Sequence, residues 1–527
     1  MSAPSFCVRL TVTDAGPEQM RRSVQSLLEQ DTQAWQLLLV TDPTTPGETL
    51  RAVEEVVALH GRARHLRSPE AGPVAAGNVA LEASFAQLSV QLPVGDGLSA
   101  GALSVLGHAF VEQPDLDLAF GDTREVDHAG RTVSVRTRPG WSPALLVDED
   151  YLGGCVAVRT QVALAVGGLR PGTGTGAEWD LHLRVAERAR RVRHLPLPLH
   201  ETTGAAPAPD PQARQAVLTG LVARRGWRAS VQPSVGGEPA VVLAPRPSTA
   251  TVSVVIPTAG AHGDVDGERV RLVDACVDGV LSPATGVLQR EVIVVLSEGT
   301  DAVVRRELTL RWRDAVRFVQ LDQPWSFSLS VNAGAVQAEG ELLLLLNDDV
   351  LAPSRGWLDR LAGHLQEPDV GAAGPLLLYP DGTVQHAGII GWQGVPALQH
   401  RGRTVSDGGP WGELRRPRDV LALTGACLLT RRTDYLAAGG MSEDFPVSFN
   451  DVDYCLRLRE RGQRCVLDPR AVLRHHESAT RSPVVTVDEM ARLTARWGAV
   501  LGDDPYLSSP RLAELGRRER ALLTDGR

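Results

Sequence analysis

Two apolar runs, one near the start of each half of the chain, predict buried strands. The first is FCVRLTV from Phe6, and its counterpart is TVSVVI from Thr251. Each leads through a segment of helix length into a second apolar run, at 36–42 and at 291–299. Strands that alternate with helix-length segments are typical of a parallel α/β sheet. The pattern therefore predicts the α/β class in both halves.

The similarity between the halves continues along the chain at a separation of roughly 250 residues. Each half also contains a strand-like segment whose last residue is a histidine, His200 in the first and His475 in the second. The paired segments are GNVALEASFAQLSVQLPVGDGL (77–98) with VNAGAVQAEGELLLLLNDDVL (331–351), and 167–188 with 439–461. A repeat this long is not a solenoid and predicts two tandem domains of one fold.

Composition places the boundaries of these domains. The segment ETTGAAPAPDPQARQ is rich in Ala and Pro and is typical of an exposed connector, at 201–215. We predict a first domain at 1–248, a second domain at 249–485, and a helical, basic C-terminal appendage at 486–527.

The most apolar run in the second half, LLLLL at 342–346, stops at Asn347, Asp348 and Asp349. Asn and Asp are favoured in turns because their side chains bond their own backbone, so a polar turn after a buried strand would explain the motif. In open α/β sheets, however, ligands bind outside the carboxyl ends of the strands. The same position therefore also suits carboxylates that meet a ligand.

A second polar cluster, FNDVDYCLRLRERG, resembles the start of a helix. Asn450 is the expected N-cap, and Asp451 and Asp453 fall in the first turn, where the helix dipole favours acids. A well-capped helix needs no further function, so this cluster is ambiguous when taken alone.

A third cluster, LRHHES, ends a strand-like segment with His475 and His476. A histidine pair by itself is more often structural than a ligand. Together with Asp349 and Asp451, however, the pair supplies two acids and an imidazole from separate elements. Few protein ligands, mostly oxygen, suit Mg²⁺ or Mn²⁺, which keep positions open for substrate phosphates.

Charge and length exclude several classes of protein. A chain of 527 residues exceeds one ordinary core, and its net charge of −9 argues against a nucleic-acid partner. No apolar stretch reaches the ~18 residues that a membrane span needs, and MSAPSFCVRL lacks the features of a signal peptide. We expect a cytoplasmic protein, with peripheral contact to the inner face of the membrane and homo-oligomerisation left open. The six scattered cysteines predict buried thiols.

The chain contains no lysine, so all 54 of its basic Lys and Arg positions are arginine. This excludes an internal Schiff base and a phosphate-binding P-loop lysine. Negative charge on a ligand must be met by arginine, backbone N–H groups or a metal ion. Asparagine is also scarce, and three of its four positions lie in the second half, at Asn332, Asn347 and Asn450.

An ordered set of motifs now identifies a resemblance. The stretches are VSVVIPT, EVIVV, FSLSVNAGAVQAEGELLLLLNDDV, LLLYPDGTVQHAG, LTGACLLTRR, GGMSEDF, FNDVDYCLRLRERG, LRHHES and DDPYLSSPRLA. They resemble those of family 2 inverting glycosyltransferases with the Rossmann-like GT-A fold, over about 251–510. Bacterial enzymes of surface-polysaccharide assembly, including rhamnosyl- and galactofuranosyltransferase-like members, are especially similar. The first half resembles the same fold more weakly, over about 5–200.

The resemblance implies roles for the acidic motif. Asn347, Asp348 and Asp349 stand where the family has its Asp-x-Asp. Asp349 would bind Mn²⁺ or Mg²⁺, and Asp348 would bind the ribose or diphosphate of the donor. Asn347 replaces the first acid at a donor-binding position and leaves fewer ligands for the metal.

The resemblance also implies roles outside that motif. Asp451 stands at the position of the catalytic base. His475 stands at the metal-binding histidine, with His476 as the alternative, and Asn332 and Gly440 fit donor-pocket positions.

Two departures from the family pattern limit these assignments. Leu296 stands where the family has an acid that binds the nucleotide base, which leaves the nucleoside open. In the first half LPVGDG replaces the acidic motif and leaves Asp96 alone, although Glu178 and His200 align with the base and the metal histidine. A lone acid is a poor cation site. We therefore predict that the first domain is non-catalytic and helps to position the acceptor or a partner subunit.

The predicted function is a metal-dependent inverting glycosyltransferase. It would move a sugar from a nucleotide-sugar donor to a glycan or lipid-linked glycan acceptor in cell-surface polysaccharide synthesis. The alternative is a non-catalytic pseudo-glycosyltransferase that binds glycans or acts as a scaffold, which Leu296 and the altered first domain would favour. Metal-dependent hydrolysis of the donor separates the two.

Overall fold

The computed structural model describes residues 4–507, apart from residues 14, 128, 205–209, 235, 246, 248 and 477–484. It divides into two units, the first built mainly from residues up to Arg225 and the second mainly from Val241–Tyr506. Part of the predicted connector and the last 20 residues of the predicted appendage lie outside the described residues. Over the described chain, every helix is too short or too polar to pass through a bilayer.

The first unit combines a nine-stranded mixed sheet with helices. Its strands are β1 (Phe6–Thr11), β2 (Trp35–Thr41), β3 (Ala63–Arg67), β4 (Leu88–Gln91), β5 (Gly97–Leu98), β6 (Leu116–Val126), β7 (Thr132–Arg136), β8 (Val156–Arg159) and β9 (Arg191–Thr202). Its α-helices are α1 (Pro17–Leu28), α2 (Gly47–Leu59), α3 (Pro73–Glu82), α4 (Ala102–Glu112), α5 (Pro143–Asp148), α6 (Thr160–Ala165), α7 (Ala177–Ala186) and α8 (Pro211–Arg225). A hairpin of β10 (Ala229–Pro233) and β11 (Pro239–Leu243) follows in the sequence.

The second unit has a ten-stranded mixed sheet and two small hairpins. Its strands are β12 (Thr251–Thr258), β13 (His262–Val265), β14 (Glu268–Arg271), β15 (Gln289–Leu296), β16 (Val316–Gln320), β17 (Leu342–Leu346), β18 (Val350–Leu351), β19 (Val370–Leu378), β20 (Val384–His386), β21 (Ile389–Trp392), β22 (Val395–Leu398), β23 (Arg418–Val420), β24 (Cys427–Arg431) and β25 (Arg464–His475). Its α-helices are α9 (Leu272–Leu281), α10 (Ala302–Trp312), α11 (Phe327–Gln337), α12 (Trp357–His364), α13 (Arg432–Ala437), α14 (Asn450–Glu460) and α15 (Val487–Gly502).

The two sheets have the same strand order. The first runs β3-β2-β1-β4-β8-β6-β9-β5 and the second β16-β15-β12-β17-β24-β19-β25-β18. In each, the first four strands are parallel, as the sequence predicts, and the next strand, β8 or β24, is antiparallel to its neighbours. The α/β class is confirmed, but both sheets are mixed rather than wholly parallel.

The direction of the connections reverses beside the first strand of each sheet. In the second unit β12 pairs with β15 on one side and with β17 on the other. The crevice at the carboxyl ends of two such strands is where ligands bind in open α/β sheets. Strand β17 consists of five leucines, Leu342–Leu346, that are all buried, so it occupies a central position in the core. The polar residues that follow it are therefore placed at the ligand-binding edge.

Helix α15, which lies within the predicted appendage, packs into the second core. It buries Leu493, Trp497 and Leu501 in the same apolar cluster as strands β17 and β24. Thr486 caps its first turn by accepting a hydrogen bond from the N–H of Glu489. The helix is thus part of the second unit.

Candidate active site

A cavity of about 480 Å³ lies at the carboxyl ends of the central strands of the second unit. Asn347, Asp348, Asp349, Asp451 and His475 all line it. The first three are consecutive, and more than 100 positions separate them from Asp451 and His475. The fold brings them together because β17, β25 and the start of α14 all open on this crevice. Five of the seven principal site positions predicted from the sequence therefore share one wall.

The two adjacent acids after β17 are buried and interact strongly. Asp348 accepts a hydrogen bond of 2.5 Å from the Thr258 hydroxyl at the end of β12. Burial and the negative charge of Asp349 raise the pKa of Asp348 to about 7. Two carboxylates in so little water repel each other unless positive charge is supplied. This arrangement fits a cation at the strand end.

Asp349 and His475 form the pair that best fits a divalent ion. Nε2 of His475 lies 3.1 Å from Oδ1 of Asp349, yet this oxygen has no hydrogen-bond partner among the described residues. Neighbouring ligands of an octahedral Mg²⁺, with bonds near 2.1 Å, are themselves about 3 Å apart. In the described chain no group of three or more His, Cys, Asp or Glu forms a metal cluster. The protein thus offers two ligands, and water or phosphate oxygens would complete the shell.

Strand pairing indicates which of the two adjacent histidines faces the cavity. Val350 of β18 pairs with His475 of β25, which directs the His475 ring to the cavity. His476 instead donates its backbone N–H to the carbonyl of Asp349 at 3.0 Å, and its side chain is not part of the cavity wall. Of the two histidines, the structure places His475 against Asp349.

Asp451 reaches the cavity from the first turn of α14. Its Oδ2 accepts the N–H of Gly425 at 2.9 Å, and its Oδ1 accepts the N–H of Val452 at 2.8 Å. The N-cap of this helix is Phe449, not Asn450 as the sequence suggested, and it has a left-handed backbone with φ 64°. A phenylalanine rarely adopts that conformation, so tertiary contacts must hold the turn.

Asn450 and Glu489 supply those contacts. The Asn450 amide donates to the carbonyls of Phe445 and Val447. The Glu489 carboxylate, from α15, accepts the N–H groups of Val447 and Ser448. Asn450 therefore fixes the loop that precedes α14 instead of capping the helix.

Comparison with known proteins identifies the family to which the second half of the chain is similar. The family described as "Glycosyltransferase like family 2" matches residues 247–499. These residues form a family 2 glycosyltransferase domain. Among curated proteins, the chain is 33% identical over 497 residues to the O-antigen biosynthesis protein RfbC of Myxococcus xanthus, covering 91% of this chain and 38% of that protein. It is 32% identical over 123 residues to the N-acetylglucosaminyl-diphospho-decaprenol L-rhamnosyltransferase of Mycobacterium tuberculosis, covering 21% of this chain and 39% of that enzyme.

The chain spans only part of the length of these relatives. Besides RfbC, it is 28% identical over 519 residues to the uncharacterized protein y4gI of Sinorhizobium fredii, covering 93% of this chain and 55% of that protein. Two solved structures are similar over less than half of the chain. S. aureus TarS 1-349 aligns with a TM-score of 0.35 and 16% identity over 42% of this chain and 65% of its own. GalNAc-T7 with UDP, GalNAc and Mn²⁺ aligns with a TM-score of 0.36 and 14% identity over 47% of this chain and 48% of its own.

Two predicted donor-pocket residues of the glycosyltransferase domain are absent from the described cavity wall. Asn332 bonds both the N–H and the carbonyl of Met441, and it accepts the Tyr435 hydroxyl. Gly440 has φ +69°, and a Cβ there would lie 2.5 Å from Oδ1 of Asn332. In the first unit Asn78 bonds both backbone groups of Leu169 in the same way. Asn332 and Gly440 hold a turn against α11, and the recurrence of the asparagine in both halves was a signal of that role.

Three of the wall residues that received no role from the sequence bear on the chemistry of the site. They are Thr258, which bonds Asp348, and the consecutive residues Gln385 and His386 of β20. Both ring nitrogens of the buried His386 are without a hydrogen-bond partner among the described residues. Burial lowers the pKa of His386 to about 3, so its imidazole is neutral. The motif YPDGTVQHAG marked this segment, but nothing in the pattern showed that β20 joins the site.

Leu296, at the position of the family's base-binding acid, is buried at the end of β15. The residues that follow it, Ser297 and Gly299, line the cavity. This edge of the cavity therefore offers backbone groups and a hydroxyl where the family has a carboxylate.

The first unit has a different arrangement at the equivalent strand ends. Nε2 of His200 lies 3.0 Å from Oδ2 of Asp96, and these two residues are hydrogen bonded. Glu178, aligned with Asp451, is held by both terminal nitrogens of Arg9, at 3.2 and 3.3 Å. Arg9 is buried in β1 at the register position that Val255 occupies in β12. The carboxylate at the base position is thus neutralised by an arginine.

Proposed function

We propose that this chain is a metal-dependent inverting glycosyltransferase. It moves a sugar from a nucleotide-sugar donor to a glycan or lipid-linked glycan acceptor in cell-surface polysaccharide synthesis. The observation that carries the proposal is the convergence, in one cavity, of the Asp349–His475 pair and the Asp451 carboxylate from a different element.

Asp451 is the group that takes the acceptor's proton. A sugar hydroxyl is a weak nucleophile at neutral pH, and a positioned carboxylate lowers the barrier by accepting its proton. The N–H of Gly425 holds one oxygen of Asp451 in place. Attack from the face opposite the nucleotide inverts the anomeric centre.

Asp349 and His475 would hold Mn²⁺ or Mg²⁺, and Asp348 would bind the donor. When bound, the ion supplies positive charge where the departing diphosphate gains negative charge. This positive charge matters because the chain has no lysine and none of the described residues that line the cavity is an arginine. The names of RfbC and of the mycobacterial rhamnosyltransferase support a polysaccharide product and a lipid-linked acceptor.

We assign the first unit a non-catalytic role in holding the acceptor or a partner subunit, with residues 249–485 as the catalytic domain. The ion pair of Arg9 with Glu178 supports this non-catalytic role, because Glu178 is the carboxylate at the base position. Both oxygens of this carboxylate are engaged in a forked contact with a buried guanidinium.

Hydrolysis of the donor tests the catalytic role. The full chain is incubated with UDP-, GDP- and dTDP-sugars and Mn²⁺ or Mg²⁺, and release of the nucleotide is measured. We expect slow hydrolysis of one class of donor, which stops when EDTA removes the ion and returns when the ion is restored. Binding of a nucleotide sugar with no hydrolysis or transfer would favour the scaffold alternative instead.

A further inference from the structure

Gln385 connects strand β20 to the proposed metal ligands. Its side-chain amide nitrogen is placed 2.7 Å from Nδ1 of His475, and Nε2 of the same ring lies 3.1 Å from Oδ1 of Asp349. The three side chains form a chain that is almost entirely excluded from solvent, with Gln385 5% and Asp349 4% exposed. Gln385 therefore contacts the ring on the side opposite to the carboxylate.

The hydrogen-bond partner of Nδ1 determines whether Nε2 carries a proton or a free lone pair. A neutral imidazole carries one proton, so a hydrogen bond that keeps the proton on Nδ1 leaves a lone pair on Nε2. An amide can serve either way, because its oxygen accepts and its nitrogen donates, and the two are nearly identical in shape. With the oxygen towards Nδ1, Nε2 is a ligand. With the nitrogen towards Nδ1, Nε2 carries a proton and cannot bind a metal.

We propose that Gln385 is a positioning residue whose amide is reversed from the orientation that sets its nitrogen beside Nδ1, so that its oxygen accepts the Nδ1 proton of His475. Nε2 and Asp349 Oδ1 then face a divalent cation together, and the amide nitrogen of Asn347, 3.5 Å from Nε2, favours this tautomer because it can donate to the Nε2 lone pair. Hydrogen bonds of this kind fix the tautomer and orientation of metal-binding histidines in proteins. The inference rests on the proposed function, because it takes Asp349 and His475 as the metal ligands.

The strand geometry makes this contact a fixed one. His386, the next residue, pairs with Leu377 of β19, so the backbone of β20 is tied to the sheet. Gln385 lies at a register shift of this pairing, between His386 and Val384, which pairs with Leu378. Such a bulge re-aims a side chain, and Gln385 and His386 accordingly both line the cavity. The Asn347 amide is 3.5 Å from Nε2, so it is the nearest donor to the lone pair that the proposed tautomer leaves open.

The test compares two variants of the full chain with a matched control. Gln385→Leu removes the acceptor, whereas Gln385→Glu presents only acceptors to Nδ1. Gln399→Leu is the control, because Gln399 is also buried and hydrogen bonded, but its partners are Glu413 and Arg418. Binding of Mn²⁺ alone is measured from the loss of the free-ion electron paramagnetic resonance signal. The tautomer of metal-free His475 is read from ¹⁵N-edited spectra, assigned with His475→Asn.

We expect Gln385→Leu to weaken Mn²⁺ binding by about 10–100-fold, the usual effect of losing such a partner. Gln385→Glu should bind Mn²⁺ at least as tightly as the natural chain, with the proton on Nδ1. The control should lose stability but not Mn²⁺ affinity. If the natural chain binds Mn²⁺ and Gln385→Leu binds it equally well, the inference is overturned and the proposed function stands. If the natural chain does not bind Mn²⁺, the metal assignment fails and this inference fails with it.

Discussion

Replacing Asp451 with asparagine separates proton transfer from every other role of this residue. The change keeps the side chain's shape, and the oxygen of the new amide can still accept the Gly425 N–H that Asp451 now accepts at 2.9 Å. Loss of one negative charge at the start of α14, and of the 2.8 Å bond that the second oxygen accepts from the Val452 N–H, should cost about 1–2 kcal/mol of stability. The wall of the cavity is therefore preserved, and the proton acceptor is lost.

The expected effect is confined to transfer. A general base contributes about 10²–10⁴-fold to the rate, which corresponds to about 2.7–5.4 kcal/mol of barrier. Transfer to the acceptor should fall by that factor, while the affinity for donor and metal, measured by calorimetry, stays near that of the natural chain. An affinity that falls in parallel with the rate would instead make Asp451 a donor or metal ligand. Full transfer activity in the variant would mean that Asp451 only stabilises the first turn of α14.

Asp453 provides the matched control, since it lies in the same helical turn but contacts different groups. It is completely buried and accepts from Arg457 at 2.8 Å and from the Trp497 indole at 2.9 Å. Asp453→Asn should lower the free energy of unfolding by about 3 kcal/mol, because it breaks a buried ion pair. Its transfer rate at saturating substrate should remain near the natural value. A similar loss of rate in both variants would mean that damage to α14, and not the missing base, explains the result.

Four further substitutions test the remaining assignments. Asp349→Ala should abolish metal-dependent donor binding in calorimetry and leave the circular dichroism spectrum unchanged; unaltered Mn²⁺ and donor binding would refute its role as a ligand. Asp96→Ala and Glu178→Gln, in the first unit, should leave donor hydrolysis unchanged in the nucleotide-release assay. A clear loss in a variant that keeps the melting temperature of the natural chain would indicate a second active site. Asn332→Ala should lower the melting temperature, since it strips hydrogen bonds from the Met441 backbone at a cost of about 2 kcal/mol, but donor affinity should not change. Weaker donor binding by the folded variant would mean that Asn332 contributes to the donor pocket after all.

The sequence predicts those parts of the site that depend on the pattern of apolar and polar residues within one strand or helix. The run Leu342–Leu346 has the composition of a central strand, so the position of Asp348 and Asp349 at the ligand-binding edge follows from general rules for α/β sheets. The first-turn position of Asp451 was predicted from the expected cap at Asn450, and it holds although the helix begins one residue earlier. The local pattern of apolar and polar residues indicates which positions of a strand or helix are buried. This pattern is visible in the sequence without knowledge of the fold.

The parts that the sequence did not predict depend on contacts between distant segments. β20 has three residues, too few for a period of two to be visible, and it joins the site only through its pairing with β19. The cap of α14 was assigned to Asn450 because asparagine favours such positions, yet contacts from Glu489 in α15 shift the start of the helix to Phe449. In both cases tertiary structure overrides a local preference.

The two halves of the chain show how one strand position changes what a shared sheet can do. In β12 the position is Val255, an apolar residue of the core, and the acid opposite, Asp451, bonds a backbone N–H of the cavity wall. In β1 the equivalent residue is Arg9, 3% exposed, and a buried guanidinium without a counter-charge would be costly. Glu178 supplies that charge, so an acid is needed at this position for stability alone. The presence of an acid at the base position of the first unit is therefore no argument for catalysis there.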